Sequence, residues 1–209
     1  MKYIIGIIHT MTKLPLNITE WFGALPRLIA DLYDDKFRGS SSEPLDKALE
    51  DLLQVNYTIW RYEDDVRRTD VPDKEIAGLK RNIDITNQKR NDLIDIVDAI
   101  LKQDIEKKIK ASDKTAPLNS ETPGSIFDRL TVVALRARNL KKEIERKDAS
   151  EAHIEKCSGM LKQVEERSRD LLKSLEELLG DYYSGRKQLK SYKQHKLYND
   201  PELNPSLRK

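Results

Sequence analysis

The chain has 209 residues, 35% of them charged and 38% apolar, with only 8 glycines and 8 prolines, a composition that favours long solvated helices in one domain over a sheet-rich fold. The formal net charge of +2 is spread over well-mixed signs, so no global field draws the chain to nucleic acid, which is not an expected partner. The lone Cys157 excludes an internal disulfide and fits a reducing compartment, and three scattered histidines (His9, His153, His195) argue against zinc, so no metal or cofactor is expected.

The opening "MKYIIGIIHTMTK" carries an apolar run at residues 3–8, too short for a signal peptide and far too short to span a membrane. It reads as an extension, or as sequence ahead of a natural start at Met11, and the protein is expected to be cytoplasmic. From Thr19 a short helix is predicted around Trp21 and Phe22, interrupted by Pro26 and resumed through Leu28, Ile29, Leu32 and Tyr33. "RGSSSEP" is a loop by composition.

Residues 44–68 read as the first long helix, with Leu45, Leu49, Leu52, Ile59 and Trp60 at spacings of three and four. The same stripe runs on through Asn56, Glu63 and Arg67, three polar groups on a face due for burial. "TDVPDKE" starts a second long helix, to about residue 110, whose stripe passes Ile76, Leu79, Ile83, Asn87, Arg90, Ile94, Val97 and Leu101. Asp84, Asn91, Asp95 and Asp98 flank it. After a loop, Thr122-Pro123 is an N-cap with proline at the first helical position. The third helix buries Ile126, Leu130, Val133, Ala137, Leu140 and Ile144; Arg129 lies beside this stripe, and Asp128 heads a neighbouring row with Val132 and Leu135. The fourth is coiled-coil-like: Ile154, Cys157, Leu161, Val164, Ser168, Leu171, Leu175, Leu178 and Tyr182 alternate by three and four. The predicted fold is all-α: an elongated antiparallel bundle of about four long helices plus a short N-terminal helical segment. Residues 1–43 form the extension and short helices, 44–183 the bundle, and 184–209 a basic, turn-rich tail.

Three helices thus interrupt their apolar faces with polar side chains. Asn56, Trp60, Glu63, Asp64, Arg67, Asn87, Arg90, Asn91, Asp128 and Arg129 form the candidate set. A buried charge stripped of its partner costs about 3–5 kcal/mol, so these groups pair with one another or bind something. One reading is a structural network that fixes helix register; the other is a site in the bundle core, where arginines and amides suit a carboxylate or phosphate. A divalent-metal site of the kind found in helical nucleotide pyrophosphatases would draw on Glu63, Asp64, Asp84, Asp95 and Asp98, but only Asp95-x-x-Asp98 has the paired spacing. "LKRNIDITNQKR" shares Leu79, Lys80, Ile83 and Asp84 with the opening helix of helical chorismate mutases, a common helical pattern. Cys157 is a packing residue by its spacing, and no catalytic residue is assigned.

"IWRYEDDVRR", "LKRNIDITNQKRNDLID", "LNSETPGSIFDRLTVVALR" and "KLYNDPELNP" resemble, in order, the motifs of the bacterial domain-of-unknown-function family 4254, over residues 56–205. The resemblance implies an all-helical bacterial protein with no assigned activity, similar to proteins encoded among glycosyltransferase and envelope-glycan genes. Two functions are carried forward. One is a binding or accessory module for a partner such as a glycosyltransferase in an envelope-glycan pathway, with homo-oligomerisation compatible. The other is a small helical enzyme or ligand-binding protein for an anionic metabolite. A cleft opening on Arg90 and Arg129 favours the second; a sealed, fully satisfied interior favours the first.

Overall fold

Asn17 caps the first helix: its side chain accepts the Glu20 amide at 3.2 Å and starts α1, Ile18–Tyr33. The computed structural model describes residues 16–39, 41–109, 115–190, 192 and 201–208. The apolar run at 3–8, His9, Met11, His195 and Asn199 of the last motif lie outside the described residues. Four longer helices follow: α2, Pro44–Asp65; α3, Asp73–Lys108; α4, Pro123–Ile144; and α5, Glu151–Tyr183. The described residues are 72% helical and include no strand, only an isolated bridge between Leu118 and Gln188. The fold is all-α.

The ends have local causes. Thr122 caps α4 by accepting the Ser125 amide at 3.2 Å, and Ser150 caps α5 through the His153 amide at 3.3 Å. Acidic Asp73 and Glu75 open α3 and Lys107 and Lys108 close it, each complementing the helix dipole. Gly185, at φ 74°, takes the left-handed conformation that ends α5, with the Arg186 amide returning to the Asp181 carbonyl.

The expected break at Pro26 does not occur. α1 runs unbroken through it, because Ile18, Trp21, Leu25, Ile29 and Leu32 form one buried stripe that spans the proline. Pro26 itself is exposed, so its missing amide falls on the solvated side.

Pairs of contacts give the directions of the helices. Trp21 meets Phe127 edge-on at 4.9 Å and the Tyr33 hydroxyl meets Asn139 at 3.1 Å, so α1 runs parallel to α4. Asp98 meets Gly124 and Arg90 meets Asp128, so α3 is antiparallel to α4. Lys141 with Glu165 and Glu143 with His153 make α4 and α5 antiparallel. The main core is shared by all five helices, with Leu49, Leu52, Phe127, Leu130, Leu135 and Leu175 fully buried. A second cluster, Val133, Leu140, Cys157 and Val164, belongs to α4 and α5 alone.

Candidate functional site

On α2, Asn56 lies four residues after Leu52 and is only 3% exposed. An amide so placed needs partners. Its Nδ2 donates to Asp128 Oδ1 at 2.8 Å and to Thr131 Oγ1 at 2.7 Å, and the Thr131 hydroxyl donates to the Asp128 carbonyl at 2.7 Å. Thr131 is three residues from Asp128, hence on the same face of α4. This linkage ties α2 to α4.

The α3 side is less complete. Arg90 Nε stands 3.8 Å from Asp128 Oδ1, close enough for charge attraction and too far for a hydrogen bond. That Nε is buried and has no hydrogen-bond partner. The side chain as a whole is 32% exposed, so the rest of it is partly accessible while Nε is buried.

The side chain lines a cavity of about 320 Å³ between α2, α3 and α4. Ile59, Trp60, Val132 and Leu135 supply the apolar wall; Asn56, Glu63, Asp64, Arg67 and Arg90 supply the polar one. Glu63 pairs with Arg67 at 2.8 Å, Arg67 also donates to the Glu63 carbonyl, and Lys80 stands 4.0 Å from the same carboxylate. Asp64 is exposed at the rim and has no side-chain hydrogen bond or ion pair among the described residues. Arg67 is therefore neutralised and Arg90 is the uncommitted cation.

Six of the ten sequence-selected residues line this cavity, and Asp128 braces its floor through Asn56. The other three stand elsewhere. Arg129 is exposed and pairs with Glu121 at 2.7 Å in the loop before α4, because one residue beyond Asp128 is about 100° further round the helix. Asn87 and Asn91 are half-buried on α3 and do not line the cavity; Thr86 takes the buried position.

Asp98, legible in the sequence as a flanking acid and as half of the Asp95-x-x-Asp98 pair, instead ties α3 to the start of α4. It is 2% exposed, and its Oδ1 accepts the Gly124 amide at 2.7 Å. Burial pushes its carboxyl up to about 6, against the lowering effect of hydrogen bonds from Thr122 and Gly124; nearby Asp95 adds to the rise. A Cβ on Gly124 would lie 2.6 Å from the Ile94 carbonyl and 2.9 Å from Asp98 Oδ1, so only glycine permits this approach. One turn later the same helix delivers Asp128. A second unread feature is the stack beside the site: Tyr33 packs edge-on to Tyr57 at 4.8 Å, with the Arg138 guanidinium 3.4 Å from the Tyr33 ring centre. It holds the end of α1 against α2 and α4.

The five described helices offer no cluster of three or more metal-ligating side chains among the described residues, and none is long and apolar enough to cross a membrane. No curated protein and no solved structure gives a significant match to the chain. The sequence profile of one family, described as "Protein of unknown function (DUF4254)", matches residues 46–191, from the first turn of α2 to just beyond α5. That span takes in every residue of the cavity and stops short of the "NDPELNP" motif. The chain belongs to the DUF4254 family.

Proposed function

We propose that this protein binds a small anionic molecule in the cavity between α2, α3 and α4, as a ligand-binding protein or a small helical enzyme. The observation that carries the reading is Arg90, whose Nε is buried without an acceptor and whose side chain lines an open cavity. Leaving such a donor unpaired costs about 1–3 kcal/mol, more for a charged group, and folded proteins seldom do so without a reason. A carboxylate or phosphate accepting from the guanidinium removes that cost through charge-assisted bonds. The structural-network reading accounts for Asn56, Asp128 and Thr131, which satisfy one another, but it leaves Arg90 over.

The test is thermal stability in inorganic phosphate or acetate against sodium chloride at equal ionic strength. A bound ligand raises stability by RT ln(1 + [L]/Kd), about 2.7 kcal/mol at a hundredfold excess over Kd. The wild-type chain gains stability in the anion beyond the chloride control and Arg90→Gln does not. Equal gains in both proteins, or none in either, count against the site.

A second reading has its own observation. Ile85 and Ile96, 58% and 47% exposed, lie eleven residues apart on one face of α3. In that reading the bundle is an accessory module of a bacterial, cytoplasmic envelope-glycan pathway, and this face holds a partner such as a glycosyltransferase or a second copy. Light scattering of the wild type and of Ile85→Glu/Ile96→Glu tests the second copy: a shared monomeric mass removes it.

A further inference from the structure

Resting on the anion reading of the same cavity, we infer that its ligand is a polyhydroxylated molecule bearing a single acidic group, the chemical class of sugar monophosphates and sugar acids. The inference comes from what remains available on the walls once internal pairs are set aside. Of the two cations that line the cavity, Arg67 is hydrogen-bonded to Glu63 and Arg90 has no hydrogen-bonded partner among the described residues, so the site has one firm place for an acid. The Glu63–Arg67 pair, 2.8 Å apart with Lys80 4.0 Å from the same carboxylate, offers an acceptor and a donor side by side. A charged group would be attracted by one member and repelled by the other. A hydroxyl, which both donates and accepts, suits the pair.

Asp64 at the rim adds a second acceptor that accommodates hydroxyl donors and repels further negative charge. A polyanion such as a nucleoside diphosphate is therefore disfavoured. The volume agrees: about 320 Å³ is at the low end of the roughly 300–1,000 Å³ range of small-molecule sites. Trp60 gives the apolar wall a flat indole, half-buried and suited to the C–H face of a ring. An ammonium-bearing zwitterion fits less well, since Glu63 is already matched by Arg67 and Asp64 stands in water.

Calorimetric titration of the full chain separates this inference from the one beneath it. The probes are inorganic phosphate and acetate, neutral hexoses and pentoses, and a panel of hexose and pentose monophosphates and hexuronates. The expected result is at least one panel member binding about tenfold or more tighter than phosphate or acetate, with neutral sugars weaker still. Whether monophosphates or hexuronates lead identifies the acid, and either supports the class. Glu63→Gln/Asp64→Asn, checked for helical content by circular dichroism, abolishes the panel's advantage while retaining phosphate binding; Arg90→Gln loses both. If no panel member exceeds the simple anions, or if the advantage survives the double variant, the ligand class is overturned and the anion site stands. If no anion binds at all, the anion site falls, and the ligand class with it.

Discussion

Arg90 Nε stands 3.8 Å from Asp128 Oδ1, the same carboxylate oxygen that accepts from Asn56 Nδ2 at 2.8 Å. The carboxylate has a hydrogen-bond donor on α2, and the Arg90 side chain on α3, not hydrogen-bonded to it, lines the cavity. An arginine in this position is attracted to its neighbour yet remains available to a ligand.

Removing the cation leaves the Asp128 carboxylate its hydrogen bond from Asn56. Arg90→Gln is expected to change unfolding free energy by less than about 1 kcal/mol, in either direction, since Asp128 keeps its bonds to Asn56. Urea unfolding checks this. A loss above about 2 kcal/mol would mean that the ion pair supports the fold.

Asn56→Ala has the opposite profile. It removes the amide donor from both the Asp128 carboxylate and the Thr131 hydroxyl, costing about 1–3 kcal/mol. With its amide donor gone, Asp128 is free to close on Arg90, so anion binding should weaken as well. Denaturation and calorimetry on one protein preparation report both effects.

Asp98 gives a pH signature with a definite sign. Its folded carboxyl is raised to about 6 from the usual 3.8, so burial of the charged form costs stability above pH 6. The cost disappears as pH falls through 6 toward 4. Asp98→Asn carries no such charge, so its stability relative to wild type should be most favourable near pH 7. That advantage should shrink by about 2–3 kcal/mol by pH 4. A difference that stays flat between pH 4 and 7 contradicts the buried-carboxylate account.

Gly124→Ala is expected to destabilise by about 1–3 kcal/mol, because the added methyl meets the rigid Ile94 carbonyl of α3 at 2.6 Å. The melting temperature is the readout.

Much of this molecule is legible in its sequence because helices declare their ends and faces. Thr122-Pro123, the acidic start of α3 and the three-and-four stripe of α5 each give an element that the structure contains. The limits are equally physical. A step of three or four from Ile83 leads to Thr86 or Asn87, and only packing against the neighbouring helices selects Thr86. The α5 stripe names Leu171 and Leu175 alike, yet Leu171 is half-buried and Leu175 is fully buried beside Leu178 and Leu179. Leu175→Ala should thus cost about 2–5 kcal/mol and Leu171→Ala less. Asp98 escapes a periodicity reading altogether, since its role depends on how high α4 sits against α3.

The most direct measurement is the Arg90 Nε–H signal in a nitrogen-15 correlation spectrum, assigned by its loss in Arg90→Gln and followed through titration with inorganic phosphate and then acetate. The buried Nε–H should shift saturably as an anion binds the accessible part of the same guanidinium, at concentrations where the exposed Arg129 signal, paired with Glu121, barely moves. An Arg90 signal that stays fixed throughout, or drifts linearly along with the surface arginines, would contradict an anion site in this cavity.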